Sequence, residues 1–207
     1  MLDRHAVRAC LLFAGVSAGA CGSPAASPGP PPAATTSPAD TASAEVTGTA
    51  RKGALISLLP AAGEPPLPEG PAVMDQYGKR FVPDMLYVRV GQPVEFRNTE
   101  DMGHNVTVNR RDTGAGIFSV ETDPQQKHIH TFDRVGQYDV TCSLHPGMQA
   151  TVVATRSPMS TTAGDDGRFT LNGVPAGDYT LSVVFEGRTV DQAVAVKGPR
   201  TEVRVSP

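Results

Sequence analysis

Three residues whose side chains bind soft metals stand close together in residues 138–148, which read YDVTCSLHPGM. Cys142, His145 and Met148 are spaced i, i+3 and i+6, and they follow an alternating, strand-like run. One thiolate, one imidazole and one thioether cannot form the closed four-ligand site that structural zinc prefers. With one further histidine they would form the trigonal site of two histidines and one cysteine, with a weak axial methionine, that holds copper for electron transfer. The stretch therefore predicts a copper site with one ligand still to be found upstream.

The upstream ligand is predicted to be His104. It stands in the segment Met102–Val106 (MGHNV), which comes after the strand-like run Pro93–Arg97. In such a site Cys142 binds as the thiolate, and both histidines bind as neutral imidazoles. Met148 stays at a long axial distance, from which it tunes the redox potential.

The order GHNV, then C-x2-H-x2-M, resembles the small blue copper proteins known as cupredoxins. The short second loop, with Pro146 directly after its histidine, is similar to the amicyanin branch, whereas Met102–Asn105 resembles azurin. The resemblance covers residues 71–155 and includes all four ligand types in order. It implies a Greek-key cupredoxin sandwich that holds one type 1 copper ion.

The same resemblance implies roles for residues beside the ligands. Asn105 would tie the two ligand-bearing loops together and donate toward the thiolate. Gly103 would let its carbonyl oxygen approach the metal from the second axial side. Redox partner proteins would dock near His145, the expected exposed edge for electron tunnelling.

Composition and turn spacing predict an all-β protein. The chain has 19 Pro, 21 Gly and no Trp, and few long apolar runs have helical spacing. Such a composition is typical of short strands joined by turns. The alternating runs between residues 79 and 154 are enough for one small Greek-key sandwich.

A second β signal follows the copper motif. Residues 163–184 contain an Asp-Gly turn, a strand, a Gly-bounded turn and another alternating strand. This DGRF…VPAGDYTL pattern resembles the carboxypeptidase-regulatory-like, or prealbumin-like, β-sandwich, whose members begin with a segment like Val46–Leu59. We therefore predict a split sandwich, made of residues 45–60 with 157–207, around an inserted copper domain. Two tandem domains are the alternative.

The first residues are typical of an export signal. Residues 1–20 contain two arginines and then an apolar run that is too short for a membrane span. Small residues directly before Cys21 resemble the bacterial lipobox, in which the cysteine is acylated. Ordinary signal cleavage is the alternative, because Ala18 stands where that motif usually has Leu. We expect an exported protein at the periplasm or cell surface, anchored to a membrane through lipid on Cys21.

Residues 21–44 consist mainly of Pro, Ala, Ser and Thr, a composition that predicts a disordered tether. Cys10 would be lost with the leader and Cys21 would carry lipid, so Cys142 would be the one ordinary thiol. Exposed thiols oxidise in exported proteins, and metal ligation explains why this one is kept. A lone buried cysteine would not explain the nearby histidine and methionine.

Two further histidines flank Ile129 in a strand-like run. Alternation puts the side chains of His128 and His130 on one face of that strand. We interpret the pair as part of a polar, solvated sheet face, with a second metal patch as the alternative.

Charge and missing motifs exclude several classes of function. The net charge is −3 and no basic patch indicates nucleic acid. The sequence has no nucleophile elbow, phosphate loop, H-E-x-x-H or paired-cysteine motif. Four protein ligands would also leave a substrate no position on the metal, so we expect no enzyme. The prediction is a one-electron carrier at the cell envelope; the alternatives are a copper carrier or buffer, and an adhesion module whose copper is incidental.

Overall fold

The structure is a computed structural model that describes residues 43–205. The predicted export signal, most of the predicted tether, and Cys21 lie outside these residues. Every regular element in the described part is a β-strand, which confirms the all-β prediction. No helix in this part of the chain is long and apolar enough to cross a membrane.

Sixteen strands follow one another along the described residues. They are β1 (Ala44–Thr49), β2 (Leu55–Pro60), β3 (Ala72–Gln76), β4 (Phe81–Val82), β5 (Met85–Arg89), β6 (Pro93–Asn98), β7 (His104–Arg110), β8 (Gly116–Thr122), β9 (Lys127–Thr131), β10 (Gly136–Thr141), β11 (Gln149–Thr155), β12 (Ser160–Thr162), β13 (Arg168–Val174), β14 (Gly177–Phe185), β15 (Arg188–Val196) and β16 (Arg200–Arg204). The first strand begins at Ala44, the last residue of the predicted tether.

Residues 72–155 form two facing sheets that we call the central sandwich. One sheet has the strand order β5-β11-β10-β7-β8 and the other β4-β3-β6-β9. Alternation explains the packing: in β6, Val94 and Phe96 are fully buried, while Glu95 between them is partly exposed. The core between the sheets includes Cys142 and Met148. Two of the predicted ligands are therefore part of the hydrophobic core.

The strands before and after the central sandwich share a second core, and we call them the flanking sandwich. Its sheets have the orders β13-β1-β16 and β12-β2-β14-β15, so β1 and β2 each lie between later strands. Val46, Ile56 and Leu58 are completely buried among side chains from the later strands. Burial of three such side chains contributes about 5–9 kcal/mol, comparable with the whole stability of a small domain. The early strands are thus integral to this core, while its relation to the carboxypeptidase-regulatory-like family stays a prediction.

Both connections to the flanking sandwich leave the same end of the central sandwich. β7 begins at His104 and β10 ends just before Cys142, so both predicted ligands lie at one end. β11 runs antiparallel to β10, and Thr155 therefore lies at the other end. Ala72 lies at that end too, because β3 is parallel to β6, whose last residue Asn98 contacts the loop before His104. A seven-residue strand such as β11 spans roughly 20 Å, so a distance of about 20 Å separates the candidate ligands from the junction.

The linker between β2 and β3 is held against the central sandwich. The buried guanidinium of Arg89 donates to the carbonyl oxygens of Pro65, at 3.0 Å, and Pro66, at 3.4 Å. Arg156, directly after β11, donates to the carboxylate of Glu64 at 2.9 Å. These bonds fix the first connection beside the second one.

The two histidines of β9 point into the central sandwich. They pair across the sheet with Phe96 and Val94, which are fully buried, and both imidazole centroids lie 4.7 Å from the Phe118 ring. Burial, together with the neighbouring His128, lowers the pKa of His130. Ile129 between them is 54% exposed. The solvated-face interpretation of the pair is therefore wrong, because the imidazoles pack on an aromatic ring and the apolar residue faces water.

Gly48 is a critical position in the flanking sandwich. It lies in β1, and an added Cβ would come within 2.4 Å of the Val203 carbonyl oxygen and 2.6 Å of the Phe169 ring. Backbone in a central strand cannot move aside cheaply, so Gly48→Ala should destabilise the protein by about 1–3 kcal/mol. Calorimetric unfolding measures the loss. Gly198→Ala is the control, because a Cβ there would meet no atom within 4 Å. Equal melting temperatures for the two variants would contradict the position of β1.

Candidate metal centre

Three of the four predicted ligands converge at one end of the central sandwich. Ligand atoms of His104, Cys142 and His145 all lie within 4.8 Å of one another. The Cys142 Sγ atom is 3.8 Å from His104 Nδ1 and 3.6 Å from His145 Nδ1. Cys142 is the one free cysteine of the described residues. The structure thus brings together one sulfur and two nitrogen atoms from three different residues.

These separations fit a single metal ion. Thiolate sulfur lies about 2.3 Å, and imidazole nitrogen about 2.0–2.1 Å, from a bound first-row ion such as zinc. At tetrahedral to trigonal angles such ligands are about 3.6–3.8 Å apart. The observed sulfur–nitrogen distances of 3.6 and 3.8 Å fall in this range. The donor set is the one that copper electron-transfer sites use.

The position of Cys142 follows from the alternation of β10. Tyr138 and Val140 point into the core, and Cys142 continues the same face into the loop. Two backbone hydrogen bonds then close that loop: Cys142 N–H donates to the Met148 carbonyl, and Met148 N–H donates to the His145 carbonyl, both at 3.1 Å. Met148 is only 3% exposed, so it lies beneath the loop as part of the core.

A carboxylate orients His104. Its Nε2 atom lies 2.8 Å from Glu100 Oε2, and the His104 side chain is completely buried. A carboxylate accepts a hydrogen bond from the ring nitrogen that carries the proton, so Nδ1 is left with its lone pair toward Cys142. Desolvation raises the pKa of Glu100, but its hydrogen bonds to His104 and to the Lys79 N–H outweigh this, and the pKa lies below its usual value. The sequence did not predict this role of Glu100, because an acidic residue four positions before a histidine is usually a solvent-exposed surface residue.

Asn105 joins the two ligand-bearing loops. Its Oδ1 accepts from the Ser143 N–H at 2.7 Å, and its Nδ2 donates to Ser143 Oγ at 2.8 Å. Its own N–H points at Cys142 Sγ from 3.5 Å. Asn105 directly follows His104, and Ser143 directly follows Cys142. A buried amide that is paired at both ends therefore fixes the two candidate ligands relative to each other.

Three buried polar side chains hold the start of β7 and the loop before it, and the sequence did not predict them either. Asn98 donates to the Met102 carbonyl at 2.7 Å, and Gln76 donates to the Asn105 carbonyl at 3.2 Å. Thr122 donates to Gln76 Oε1 at 2.7 Å. The one available signal was their position at buried sites in the alternation of buried and exposed residues along a strand. Asn98, for example, follows Val94 and Phe96 on the inward face of β6. Polar groups at such positions need partners, which only the fold supplies.

Uncharged residues lie next to His145 in the sequence. His145 is partly exposed, its neighbour Leu144 is 56% exposed, and Met102, in the loop before His104, is 39% exposed. Gly103 is exposed, and an added Cβ there would meet only Asp123, at 4.0 Å, so space alone does not require glycine. The approach of its carbonyl oxygen to a metal stays a prediction.

Known proteins match the central sandwich. Residues 72–155 match the family model of copper binding proteins of the plastocyanin/azurin family. Amicyanin from Paracoccus denitrificans is 33% identical over 86 residues, which are 41% of this chain and 66% of that protein. Amicyanin from Paracoccus versutus is 29% identical over 75 residues, which are 36% of this chain and 57% of that protein. This chain therefore spans less than two thirds of the length of each relative.

A solved structure of an amicyanin variant in its reduced state is 30% identical to this chain. The aligned residues cover 50% of this chain and 100% of the variant, and the TM-score is 0.39. The family match over residues 72–155 supports the cupredoxin prediction for the central sandwich. This family model does not extend into the flanking sandwich.

Protein lacking residues 1–21 should bind one Cu(II) ion and turn intensely blue, because the Cys142 thiolate would bind it in a trigonal site. Cys142→Ser should abolish the colour. Met148→Leu, the matched control, should keep the colour and raise the redox potential, because it removes only the weak axial donor. The visible spectrum during a Cu(II) titration, with voltammetry, gives both results. A colourless wild-type protein, or a clear preference for zinc, would contradict the assignment.

Proposed function

Because residues 72–155 match the plastocyanin/azurin family of copper binding proteins, we propose that this protein is a type 1 blue copper protein that carries single electrons at the cell envelope. The observation that carries the proposal is the cluster of His104, Cys142 and His145, with ligand atoms already at metal-binding separations. Copper, when bound there, would supply a one-electron redox couple.

The residues around the cluster suit a carrier because they hold the ligands still. His104 is fixed from behind by Glu100, and Cys142 is fixed through Asn105 and the closed loop. Electron transfer is fast when few atoms must move between oxidation states. Ligands that are oriented by the fold supply that condition, and they also slow the release of a metal.

The electron would enter and leave through His145. Of the three clustered ligands only His145 is partly exposed, whereas His104 and Cys142 are buried. The exposed residues on either side of it in the sequence, Leu144 and Pro146, form an uncharged rim on which a redox partner protein can dock transiently. Such a rim excludes water without fixing a long-lived complex.

The central experiment compares two rates on one copper-loaded sample. Electron self-exchange, measured by NMR line broadening, should be readily detectable, and copper loss to a competing chelator should be slow in both oxidation states. A copper delivery protein requires the reverse. Rapid metal loss on reduction, with no detectable self-exchange, would make copper delivery the better account.

Asn105→Ala separates the effect of rigidity from that of the ligands. This variant keeps every ligand but leaves the Ser143 N–H without its partner, so copper loss should accelerate, with about 1–3 kcal/mol lost from stability. Ser119→Ala is the matched control, because it removes only the exposed hydrogen bond to Thr107.

We further propose that the protein is exported and anchored through lipid on Cys21, and that the flanking sandwich is a split carboxypeptidase-regulatory-like domain. The first proposal is supported by the leader-like residues 1–20 and the small residues before Cys21. The second is supported by the core that residues on both sides of the central sandwich share. An experimental structure in which β1 and β2 lie outside that core would contradict the split.

Cys21→Ala should release the protein from the membrane fraction or block its processing. One acyl chain binds a membrane only marginally, so stable attachment requires the two or three chains of a lipidated cysteine. Fractionation with mass spectrometry of the mature N-terminus measures both. Wild-type protein recovered in the soluble fraction, with a mature end elsewhere than Cys21, would exclude the anchor.

A further inference from the structure

A cavity of about 350 Å³ opens at one end of the flanking sandwich, far in sequence from the metal ligands. Its walls include Ala54 and Val183, which are 0% and 7% exposed and belong to the core. Val190, also in the wall, is 42% exposed. The apolar interior of this sandwich is therefore accessible from outside at this point.

The cavity exists because one sheet extends beyond the other. On β15, Val194 and Val196 point inward and are buried, and Val190 lies on the same face but remains uncovered. β14 and β15 have nine residues each, whereas β1 opposite them ends at Thr49. The inner face of the β14–β15 hairpin therefore protrudes, carrying apolar side chains that no strand of the described residues covers.

Two arginines stand at the open end. The Arg51 guanidinium lies over the Phe185 ring, 5.5 Å from its centroid, and Arg188 is the cross-strand neighbour of Phe185. Within residues 43–205 neither arginine makes a salt bridge. Glu186 also lines the cavity, so the three charges sum to one net positive.

We propose that this cavity binds a small carboxylic acid with an apolar body. The aromatic or alkyl body would lie against Val183 and Val190, in place of the missing cover, and the carboxylate would reach Arg51 and Arg188. Guanidinium groups pair with carboxylates through parallel hydrogen bonds, which makes them selective for that group. The volume is at the lower end of the range for small-molecule sites, so the ligand is a small one.

The test uses copper-free and copper-loaded protein lacking residues 1–21, so that this site is measured whether or not the copper proposal holds. Isothermal titration calorimetry with 4-phenylbutyrate should show saturable binding to one site. The matched neutral probe, 4-phenylbutanamide, has nearly the same shape and should bind about tenfold more weakly, because its amide cannot form charge-assisted hydrogen bonds with the guanidinium groups. Added salt should weaken only the carboxylate.

Three variants locate the site. Arg51→Gln and Arg188→Gln should each weaken 4-phenylbutyrate binding about fivefold or more. Lys197→Gln, which removes an exposed cation of the same sandwich outside the cavity, should leave binding unchanged. Val190→Phe should block binding by filling the cavity, while calorimetric unfolding shows that the protein remains folded.

Equal affinity for the acid and the amide would overturn the proposal, and so would the absence of saturable binding by either. The cavity could instead be covered by a second copy of the chain. In that case wild-type protein would sediment as a dimer that Val190→Phe dissociates, without binding the acid, and this result would also overturn the proposal.

Discussion

The antiparallel pairing of β7 with β10 is the constraint on which the metal centre depends. It sets Thr107 opposite Thr141, and so brings the start of one strand, at His104, beside the end of the other, at Cys142. Side chains alternate along a strand, so a shift of one residue would turn Cys142 from the interior to the surface. The double hydrogen bond between Asn105 and Ser143 holds the loops in the same register beyond the last paired residues.

The described residues form two separate hydrophobic cores, and the candidate metal site belongs to only one of them. The ligands and their hydrogen-bond partners belong to the central sandwich, and the bonds that join it to the linker lie at its opposite end. The exposed edge of His145 therefore lies at the end away from these bonds. A redox partner that docks there, as we propose, would not contact the junction.

The candidate ligands could be proposed from the sequence because three of them lie within seven residues, where the spacing of the residue types limits which metals they can bind. Strand alternation likewise predicted the all-β architecture. Glu100 and Gln76 escaped notice, because what they bind is decided by strands distant in sequence. His128 and His130 were assigned the wrong environment for a related reason: their alternation was read correctly, but which face is buried depends on pairing with β6. A local pattern shows which side chains share a face of a strand, whereas the pairing with other strands decides which face is buried.

The place of the central sandwich within the flanking one has a consequence for folding kinetics. β2 and β12 are antiparallel neighbours, so the whole central sandwich stands where a hairpin turn would otherwise connect them. Closing an unstructured connection of roughly 100 residues instead of a four-residue turn would cost about 3 kcal/mol of chain entropy. Once the central sandwich has folded, the linker that enters it lies beside its exit, where Arg156 donates to the Glu64 carboxylate. Prior folding of the insert removes most of that entropic barrier, so the flanking sandwich assembles fastest when its insert folds first.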